Sequence, residues 1–507
     1  MKKYRILFVL LCIFIPFTIF NISFASAQGD SAWLPQQQIP GYDSNTWPPI
    51  LVADGYGTVH AFSSQWLNGD VVRVIMYNKW THEQGWTAPI DVLMSPYTND
   101  TRLLDAFIDP TNRVHVIFWG GNNIDAKIYY SSAPIVDAGN AKAWSAPILV
   151  AENAGDPEAG NFAADEHGRI YLLYSGRYGN GVYSTTSDDN GATWAKPTPI
   201  YLTNDQDKMP QALHMYKSQS GWLHAIWNVI TSGGEGRGIY YSRKKIDDIK
   251  WSDPVRLAEA ESGYGTNTPA IIEYHGAVLA FYNLGGIIWQ RSYDGEKDWT
   301  PPVQLFTRHV GVNGSPSLVV DGNDELHIFF GQRITGSPDI HGMWHSIFSG
   351  TGWSEPEAVV SGLSVSDVTG DKAFDPFEAR AVVSQGNVLM VTWRSDPGLM
   401  GNGVWYSEKV IYAPETPLTP LSTIASTTLT VSKPFTNPQS TSNLANREDT
   451  ANQIVVTPMI PFSDVKPNSY NPSMPLIVSL APAVLIISIV ITIFYARKKK
   501  SMHSMSK

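Results

Sequence analysis

A four-part cassette of about 50 residues recurs along most of this chain, and this repetition restricts the fold more than any other feature. Each copy begins with a short apolar strand that ends at a turn, as in LVVDGNDE, and continues with an alternating strand such as ELHIFF. A third strand with aromatic residues follows, and the fourth part begins at a tryptophan that a proline usually follows. Repeats of this length and content are typical of β-propeller blades. The pattern therefore predicts an all-β protein with one blade per copy.

Six copies are complete and a seventh is interrupted. The seventh begins near Phe374 and stops after its third strand, at VWYSEKVIY. The segment Trp33 to Pro40, near the start of the chain, matches the fourth part of the other copies. Pairing it with the last strand closes the ring and removes the free sheet edges of an open array. We therefore predict a seven-bladed β-propeller closed by an N-terminal strand in its last blade.

One turn in the third copy, Ser187 to Trp194, reads SDDNGATW. Asn190-Gly191 tolerates the positive φ angles that a tight hairpin turn requires. Asp189 can accept N–H groups of the loop, and Thr193 can return a hydroxyl hydrogen bond. We expect Trp194 to anchor the outgoing strand, since an aromatic ring of this size buries a large area.

This string resembles the Asp box, or BNR repeat, of sialidases and related β-propellers. Sialidases have six blades, so the resemblance covers blades and loops and not the whole ring. In that family the boxes lie on the face away from the active site. The motif therefore implies a fold and does not identify an activity.

The resemblance also implies a chemistry. Sialidases bind the carboxylate of their substrate with three arginines, and they use a tyrosine nucleophile assisted by a glutamate, with an aspartate as acid/base. The residues that could take the arginine and tyrosine roles here are Arg177, Arg333 and Arg380, with Tyr174 or Tyr282. The family's Arg-Ile-Pro motif is absent, because the nearest string is Gln38-Ile39-Pro40. No catalytic residue can therefore be carried over by motif.

Positions where the repeat stops repeating are candidates for a site, because propeller loops vary on a rigid scaffold. One such position lies four residues before the turn that ends each innermost strand, and its residues are mostly polar. A varied, polar set indicates contact with water in the central channel. The seven residues are Ile50, Asp105, Asn161, Gln211, Ala270, Ser317 and Arg380.

Further candidates lie at the expected channel rim. Gathered arginines suit a carboxylate ligand, because the guanidinium group binds it through two hydrogen bonds. The alternative is that each arginine pairs with a nearby acid on the surface. We expect Trp66, in a string that looks like an irregular loop, to be a platform on which a sugar stacks. The predicted ligand-binding residues are Trp66, Arg102, Asn161, Arg177, Arg333, Arg380, Arg394 and Asp396.

A glycosidase of the two-carboxylate type would need a pair of acids about 5–9.5 Å apart. Asp105 with Glu158 or Glu378 could form such a pair, and Tyr174 is the alternative nucleophile. The sequence does not choose among these catalytic candidates.

Four of the histidines occupy the same place in the second strand of four copies: His60, His115, His224 and His327. Symmetry would hold them far apart, so we predict packing or hydrogen-bonding roles and no metal site. The only cysteine, Cys12, lies in the leader described next, which excludes a cysteine nucleophile from the mature chain. No motif indicates a cofactor.

The two ends of the chain indicate export and anchoring. Residues 1–27 combine basic residues, an apolar run and Ala25-Ser26-Ala27, which is typical of a signal peptide. Residues 28–412 would form the propeller, and the Pro/Ser/Thr-rich residues 413–473 a disordered stalk. Residues 475–496 are apolar and, at ~1.5 Å per residue, could span a ~30 Å hydrocarbon core. The basic residues 497–507 would remain cytoplasmic.

A net charge of −10 with no basic face makes nucleic acid an unsuitable partner. We expect a monomer on the cell surface, held by one transmembrane helix, that recognises glycans at the channel rim. Two alternatives stay open: an exo-glycosidase of the sialidase type, and a non-catalytic platform for protein interaction or adhesion.

Overall fold

The computed structural model describes residues 32–42, 46–122, 125–155, 159–176, 181–203, 205, 207–260, 266–295, 298–332, 341–362, 376–395 and 403–418. The expected signal peptide, transmembrane segment and cytoplasmic tail lie outside these ranges, as does the expected stalk beyond residue 418. Among the described residues, none of the helices has the length and apolar character needed to cross a bilayer.

The first strand along the chain, β1 (Gln37–Gln38), belongs to the last blade, and blades 1 to 3 follow it. Blade 1 contains β2 (Ile50–Ala53), β3 (Thr58–Leu67), β4 (Val72–Thr81), β5 (Gly85–Trp86) and β6 (Ile90–Leu93). Blade 2 contains β7 (Thr101–Ile108), β8 (Arg113–Gly121), β9 (Ala126–Pro134) and β10 (Ile148–Glu152), with 3-10 turns at Ile135–Asp137 and Ala141–Ala143. Blade 3 contains β11 (Gly160–Ala164), β12 (Ile170–Gly176), β13 (Gly181–Ser187) and β14 (Thr198–Leu202).

Blades 4 to 7 complete the ring. Blade 4 contains β15 (Lys208–Lys217), β16 (Trp222–Thr231), β17 (Gly236–Lys245) and β18 (Val255–Glu259). Blade 5 contains β19 (Thr266–Tyr274), β20 (Ala277–Leu284), β21 (Ile287–Tyr293) and β22 (Val303–Leu305). Blade 6 contains β23 (Val312–Val320), β24 (Leu326–Gln332), β25 (His341–Phe348) and β26 (Glu357–Gly362). Blade 7 contains β27 (Pro376–Ser384), β28 (Val388–Ser395) and β29 (Val404–Val410).

The described residues therefore form seven antiparallel sheets, as the repeat predicts. Six sheets have four strands, and that of blade 1 has five because β5 and β6 both pair with β4. The outermost strands of blades 2 to 7 begin after the proline that follows the tryptophan, and not at the tryptophan as we expected, whereas in blade 1 Trp86 lies in the short strand β5 and β6 begins after the proline. Proline has no N–H to donate to a strand ladder, which delays the start of regular pairing.

The ring closes where the sequence predicts. Gln37 and Gln38 of β1 lie opposite Tyr406 and Trp405 of β29. The pairing extends beyond the two strand residues, because Leu34 N donates to Glu408 O at 3.0 Å and Ile39 N donates to Val404 O at 2.8 Å. The first strand of the propeller thus completes its last blade.

Neighbouring blades are held together by the tryptophans that precede the outermost strands. The indole of Trp144 in blade 2 packs edge-on against Phe62 in blade 1, with ring centroids 5.9 Å apart. The same contact recurs around the ring between a tryptophan and the preceding blade, in the pairs Trp86–Tyr406, Trp194–Tyr130, Trp299–Tyr241 and Trp353–Phe281. These tryptophans belong to the core between blades.

The turn at Ser187 to Trp194 has the predicted geometry. Asn190 and Gly191 have φ angles of 56° and 88°. Asp189 accepts the N–H and the hydroxyl of Thr193 at 2.8 and 2.6 Å, and Ser187 Oγ accepts Gly191 N–H at 2.8 Å. The carboxylate and hydroxyl thus organise a turn, which needs no chemistry nearby.

The histidines of the second strands form buried hydrogen-bonded triads, which confirms their predicted role. In blade 1, His60 Nδ1 contacts Tyr77 Oη at 2.9 Å and Nε2 contacts Asp54 Oδ2 at 3.0 Å. The corresponding triads are Asp109–His115–Tyr130 in blade 2 and Glu273–His224–Tyr241 in blade 4. His327 in blade 6 has a different partner, described below.

The chain leaves the last blade across the turns at the ends of the innermost strands. Asn323 Nδ2 donates to Tyr412 O at 2.6 Å, and Thr416 N donates to Gln385 O at 2.7 Å. Asn323 and Gln385 follow the ends of β23 and β27. Residues 411–418 therefore lie on the face of the ring where the innermost strands end.

We expect substitution of Ile39 to weaken the closure. Ile39 has no exposed surface and packs with Val59, Val404 and Tyr406. Ile39→Ala should lower the free energy of unfolding by about 2–5 kcal/mol, because a buried cavity replaces the lost methyl groups. Leu34→Ala, at a side chain that is 46% exposed, should change it by less than about 0.5 kcal/mol. Urea unfolding of both variants tests this, and equal losses would contradict it.

Candidate functional site

A cavity of 330 Å³ lies on the axis of the ring, between the first halves of the innermost strands. It is lined by all seven residues that the sequence predicts to face the channel: Ile50, Asp105, Asn161, Gln211, Ala270, Ser317 and Arg380. Closure of the ring thus brings these positions to one cavity.

Three of these side chains also join neighbouring blades. Asp105 Oδ2 accepts Phe162 N–H of blade 3 at 3.1 Å, and Asn161 Oδ1 accepts Met215 N–H of blade 4 at 2.8 Å. Ser317 Oγ likewise accepts the N–H of Ala381 at 2.9 Å. Each acceptor reaches the residue that follows the equivalent position in the next blade. Part of the polar set therefore serves to hold the ring together, which the sequence analysis did not foresee.

The equivalent position in blade 4 is His214 and not Gln211. The register of β15 against β16 shifts between these two residues. The turn after β15 carries a serine, Ser218, where blades 1, 2, 3 and 6 have aspartate, and Ser218 N donates to Trp222 O at 2.8 Å. Counting back four residues from Ser218 gives His214, so this turn was the available signal. Both residues line the cavity, and burial together with the charge of Arg380 lowers the pKa of His214 to about 3.

One side of the cavity is shaped by bulges in four consecutive blades. The registers of β15, β19, β23 and β27 each shift near the cavity. A residue with a left-handed backbone stands in each bulge, namely Ala212, Thr268, Gly314 and Glu378, with φ angles of 44°, 46°, 81° and 56°. This conformation is strained for a β-branched residue such as Thr268. Bulges of this kind occur next to active sites, where they redirect side chains.

Arg380 is the cationic group of the cavity. The charge of Arg380 acts on two neighbouring groups. It lowers the pKa of His214 and opposes the rise in the pKa of Asp105. Within the described part of the chain, its Nε and the hydroxyl of Thr268 are buried without a hydrogen-bond partner. Buried polar atoms are nearly always paired, so these two atoms indicate a place for a ligand or water.

Asp105 is the second ionisable group of the cavity. Burial raises its pKa to about 7. Hydrogen bonds from Phe162, Ala106 and Asn161 and the charge of Arg380 oppose this rise. An acid that titrates near neutral pH can donate or accept a proton in catalysis. Among the described residues, the Oδ1 atom of Asp105 accepts one hydrogen bond, from Ala106 N–H at 2.8 Å, so one of its lone pairs faces no donor there.

A smaller pocket of 80 Å³ adjoins the cavity and shares Glu378 and Arg380 with it. Trp47 also lines this pocket, and the guanidinium of Arg394 lies 4.3 Å from the centre of its indole ring. Arg394 Nε lies 3.9 Å from Glu378 Oε2, which is beyond hydrogen-bond length. The structure thus places the predicted residues Glu378, Arg380 and Arg394 in one area, and it adds Trp47, which the sequence analysis missed.

Trp66 lies in β3 and not in an irregular loop. The β3–β4 hairpin is longer than the sequence around Trp66 suggested. Trp66 pairs with Arg73 on the opposite strand of this hairpin. The guanidinium of Arg73 covers the ring at 4.3 Å. Asp100 binds both Arg73 and Arg102 at 3.1 Å, so Arg102 is in a salt bridge at the edge of the small pocket.

The remaining predicted residues lie elsewhere. Tyr174 is buried in the core between blades 2 and 3 and stacks on Tyr183, and burial raises its pKa. Tyr282 is also a core residue, and burial raises its pKa to about 12. The candidates that lie outside the described residues are Glu158, Arg177, Arg333 and Asp396. In the part of the chain that the structure describes, no group of three or more histidine, cysteine or acidic side chains could hold a metal ion.

Comparison with known proteins gives distant likenesses of fold. No family model matches the chain, and a search of curated proteins gave no match. Among solved structures, an ulvan lyase described as a new family of polysaccharide lyase is 12% identical over 75% of this chain and 97% of its own, with a TM-score of 0.49.

Two further structures are similarly distant. A Hadza microbial sialidase is 12% identical over 66% of this chain and 73% of its own, with a TM-score of 0.41. A Penicillium chrysogenum α-L-arabinanase complexed with arabinobiose is 12% identical over 63% of this chain and 98% of its own, with a TM-score of 0.42.

The raised pKa of Asp105 predicts a pH-dependent stability. A carboxyl group whose pKa rises from 3.8 to about 7 on folding stabilises the protein below pH 3.8 and loses that contribution as the pH rises through about 7. The free energy of unfolding of the wild type, minus that of Asp105→Asn, should therefore fall over this range. Urea unfolding across the pH series measures it, with Asp253→Asn at an exposed position as the control. A difference that stays constant with pH would contradict the assignment.

Proposed function

We propose that the axial cavity binds a sugar that carries a carboxylate, with Arg380 as the group that recognises the charge. The observation that carries this proposal is the buried, unpaired Nε of Arg380 in a cavity lined by polar residues. A guanidinium binds a carboxylate through two parallel hydrogen bonds, and an unpaired donor gains most from such a partner.

The rest of the lining suits the hydroxyl groups of a sugar. Gln211, Thr268 and Ser315 bring amide and hydroxyl groups to the cavity, and Glu378 adds a carboxylate that can accept hydroxyl hydrogens. Ile50 and Ala270 supply apolar surface for the carbon face of a ring. A volume of 330 Å³ falls at the lower end of ligand pockets, which favours a small ligand or the end of a larger one.

The proposal includes export and anchoring. Residues 1–27 would direct the chain out of the cell, residues 413–473 would act as a stalk, and residues 475–496 would hold it in the membrane. The glycan would then be met at the cell surface by a monomer.

Substitution of Arg380 tests the proposed ligand class. Arg380→Ala should weaken the binding of glucuronate, galacturonate or N-acetylneuraminate by about 10- to 100-fold, since a hydrogen bond to a charged group contributes about 1.5–3 kcal/mol. Arg380→Lys should retain part of the affinity, because it keeps the charge and loses the planar fork. Titration calorimetry with these acids and with neutral galactose measures the effect.

Arg256 offers a matched control. It is exposed on β18 and bonds Glu259 at 2.7 Å, far along its blade from the cavity-lining strand. Arg256→Ala should leave the affinity unchanged. Failure of the folded wild type to bind any of the acids, or equal losses in both alanine variants, would contradict the proposal. Capture of a protein partner that free sugars do not displace would favour the adhesion alternative.

The pKa of Asp105 favours hydrolysis of a glycoside as a second candidate function. With a pKa of about 7, Asp105 would hold a proton below neutral pH and could deliver it to a leaving group. Turnover of chromogenic glycosides should then decline as the pH rises through about 7, because the acid form disappears. Asp105→Asn should abolish turnover, and Asp253→Asn should not. Turnover that survives Asp105→Asn would exclude this role.

A further inference from the structure

Blade 6 departs from the carboxylate–histidine–tyrosine triad of blades 1, 2 and 4. His327 takes the usual place of the histidine, but its Nδ1 contacts His345 Nε2 at 2.8 Å in place of a tyrosine hydroxyl. His345 Nδ1 contacts Glu357 Oε1 at 2.8 Å, and His327 Nε2 lies 3.4 Å from Asp321 Oδ2. The triad has thus become a chain of two histidines with a carboxylate at each end. Both imidazoles are buried.

This row of four hydrogen-bonded side chains needs more hydrogens than two neutral imidazoles can supply. It contains three contacts, one from Asp321 to His327, one between the histidines and one from His345 to Glu357, and each needs one hydrogen. Two neutral imidazoles supply two. In the triads of blades 1 and 4 the tyrosine hydroxyl supplies its own hydrogen, so a neutral histidine completes them.

The missing hydrogen can be assigned to one end. Glu357 Oε1 also accepts hydrogen bonds from Trp33 Nε1 at 2.9 Å and Lys409 Nζ at 2.8 Å. These donors and His345 lower the pKa of Glu357 to about 2, so Glu357 is ionised and His345 Nδ1 carries the hydrogen between them. His345 Nε2 must then accept from His327 Nδ1. This leaves His327 Nε2 and Asp321 Oδ2 facing each other as two acceptors, and both atoms are buried without a hydrogen-bond partner in the described structure.

The surrounding charges also leave room for one proton. Among the described residues of the network, Asp321 and Glu357 are negative and Lys409 is positive, which gives a net charge of −1 with two neutral histidines. One added proton makes it neutral. Glu408, which precedes Lys409 in β29, lies outside this network, with its Oε1 atom 3.6 Å from His82 Nδ1. Phe329 and Trp33 cover the ring of His345 with apolar surface.

We propose that Asp321, His327, His345 and Glu357 form a proton-binding site, and that the ring closes more tightly when this site holds its third proton. The proton would lie between Asp321 and His327 and turn two facing acceptors into a charge-assisted hydrogen bond. The chain ends at Glu357, which also binds Trp33 before β1 and Lys409 in β29. Protonation therefore acts on the contact between blade 6 and both segments that close blade 7. This inference does not depend on the proposed ligand of the axial cavity.

Burial, with the charges of His345 and Lys409, lowers the pKa of His327 overall, against the raising effect of Asp321. We expect the effect of Asp321 to prevail, because the proton removes a direct repulsion between a carboxylate oxygen and a lone pair. The folded network should then hold its proton more tightly than an unfolded histidine with a pKa of about 6.5. The resulting stability is present below that pH and is lost as the pH rises through the higher folded value.

Two substitutions remove the need for the third proton and still leave a continuous row of hydrogen-bonded side chains. His345→Tyr restores the triad of blades 1, 2 and 4. Asp321→Asn supplies the missing hydrogen from an amide, and its oxygen can still accept Asn323 N–H and Glu325 N–H, which Asp321 Oδ1 accepts at 2.9 and 2.8 Å. The urea midpoint of the full chain should therefore fall, relative to each variant, as the pH rises from about 6 to about 9.

Asp54→Asn is the matched control, because Tyr77 completes the triad of Asp54 and His60. Its pH profile should follow that of the wild type. A wild-type midpoint that changes with pH in parallel with both His345→Tyr and Asp321→Asn would overturn the proposal. So would a wild-type midpoint that rises relative to them over this range, since burial alone would then control the site.

Discussion

The structure depends on the pairing of a short segment near the start of the chain with the last strand of the propeller. Only two residues of β1 lie in regular register with β29, yet Leu34 and Ile39 extend the contact on either side and Ile39 is fully buried. Closure fixes each blade against two neighbours, so that every innermost strand begins at the same cavity. Closure also brings Asp105 of blade 2 close enough to Arg380 of blade 7 for the charge of the arginine to act on the carboxyl group.

The same position along the innermost strand serves two purposes around the ring. In blades 2, 3 and 6 its side chain accepts a backbone N–H of the next blade, which satisfies a buried donor and sets the spacing between blades. In blade 7 the position is Arg380. An arginine side chain cannot accept a hydrogen bond, so it cannot bind a backbone N–H of the next blade in this way. Arg380 is the cationic member of this set, and its Nε has no hydrogen-bond partner among the described residues.

The repeat sufficed to predict the blades, the closure and the turn at Ser187 to Trp194, because period-2 strands and turn residues reflect local preferences of the backbone. The bulges could not be predicted, since Ala212, Thr268 and Glu378 have no sequence property that favours positive φ. Their shift of register caused Gln211 to be chosen in place of His214. Trp66 was assigned to a loop because the salt bridge between Arg73 and Asp100, which accompanies the longer hairpin, joins residues far apart in sequence. Glu158, Arg177, Arg333 and Asp396 stay predictions.

The path of residues 411–418 sets the direction from which a ligand can approach. Glu378 lies near the beginning of β27 and Arg380 at its middle, whereas Thr416 is bonded to Gln385, just after the end of that strand. The described polypeptide thus ends on the face of the ring away from the beginning of β27. A ligand that enters the cavity from the beginning of the innermost strands would therefore meet no part of residues 411–418 on its way.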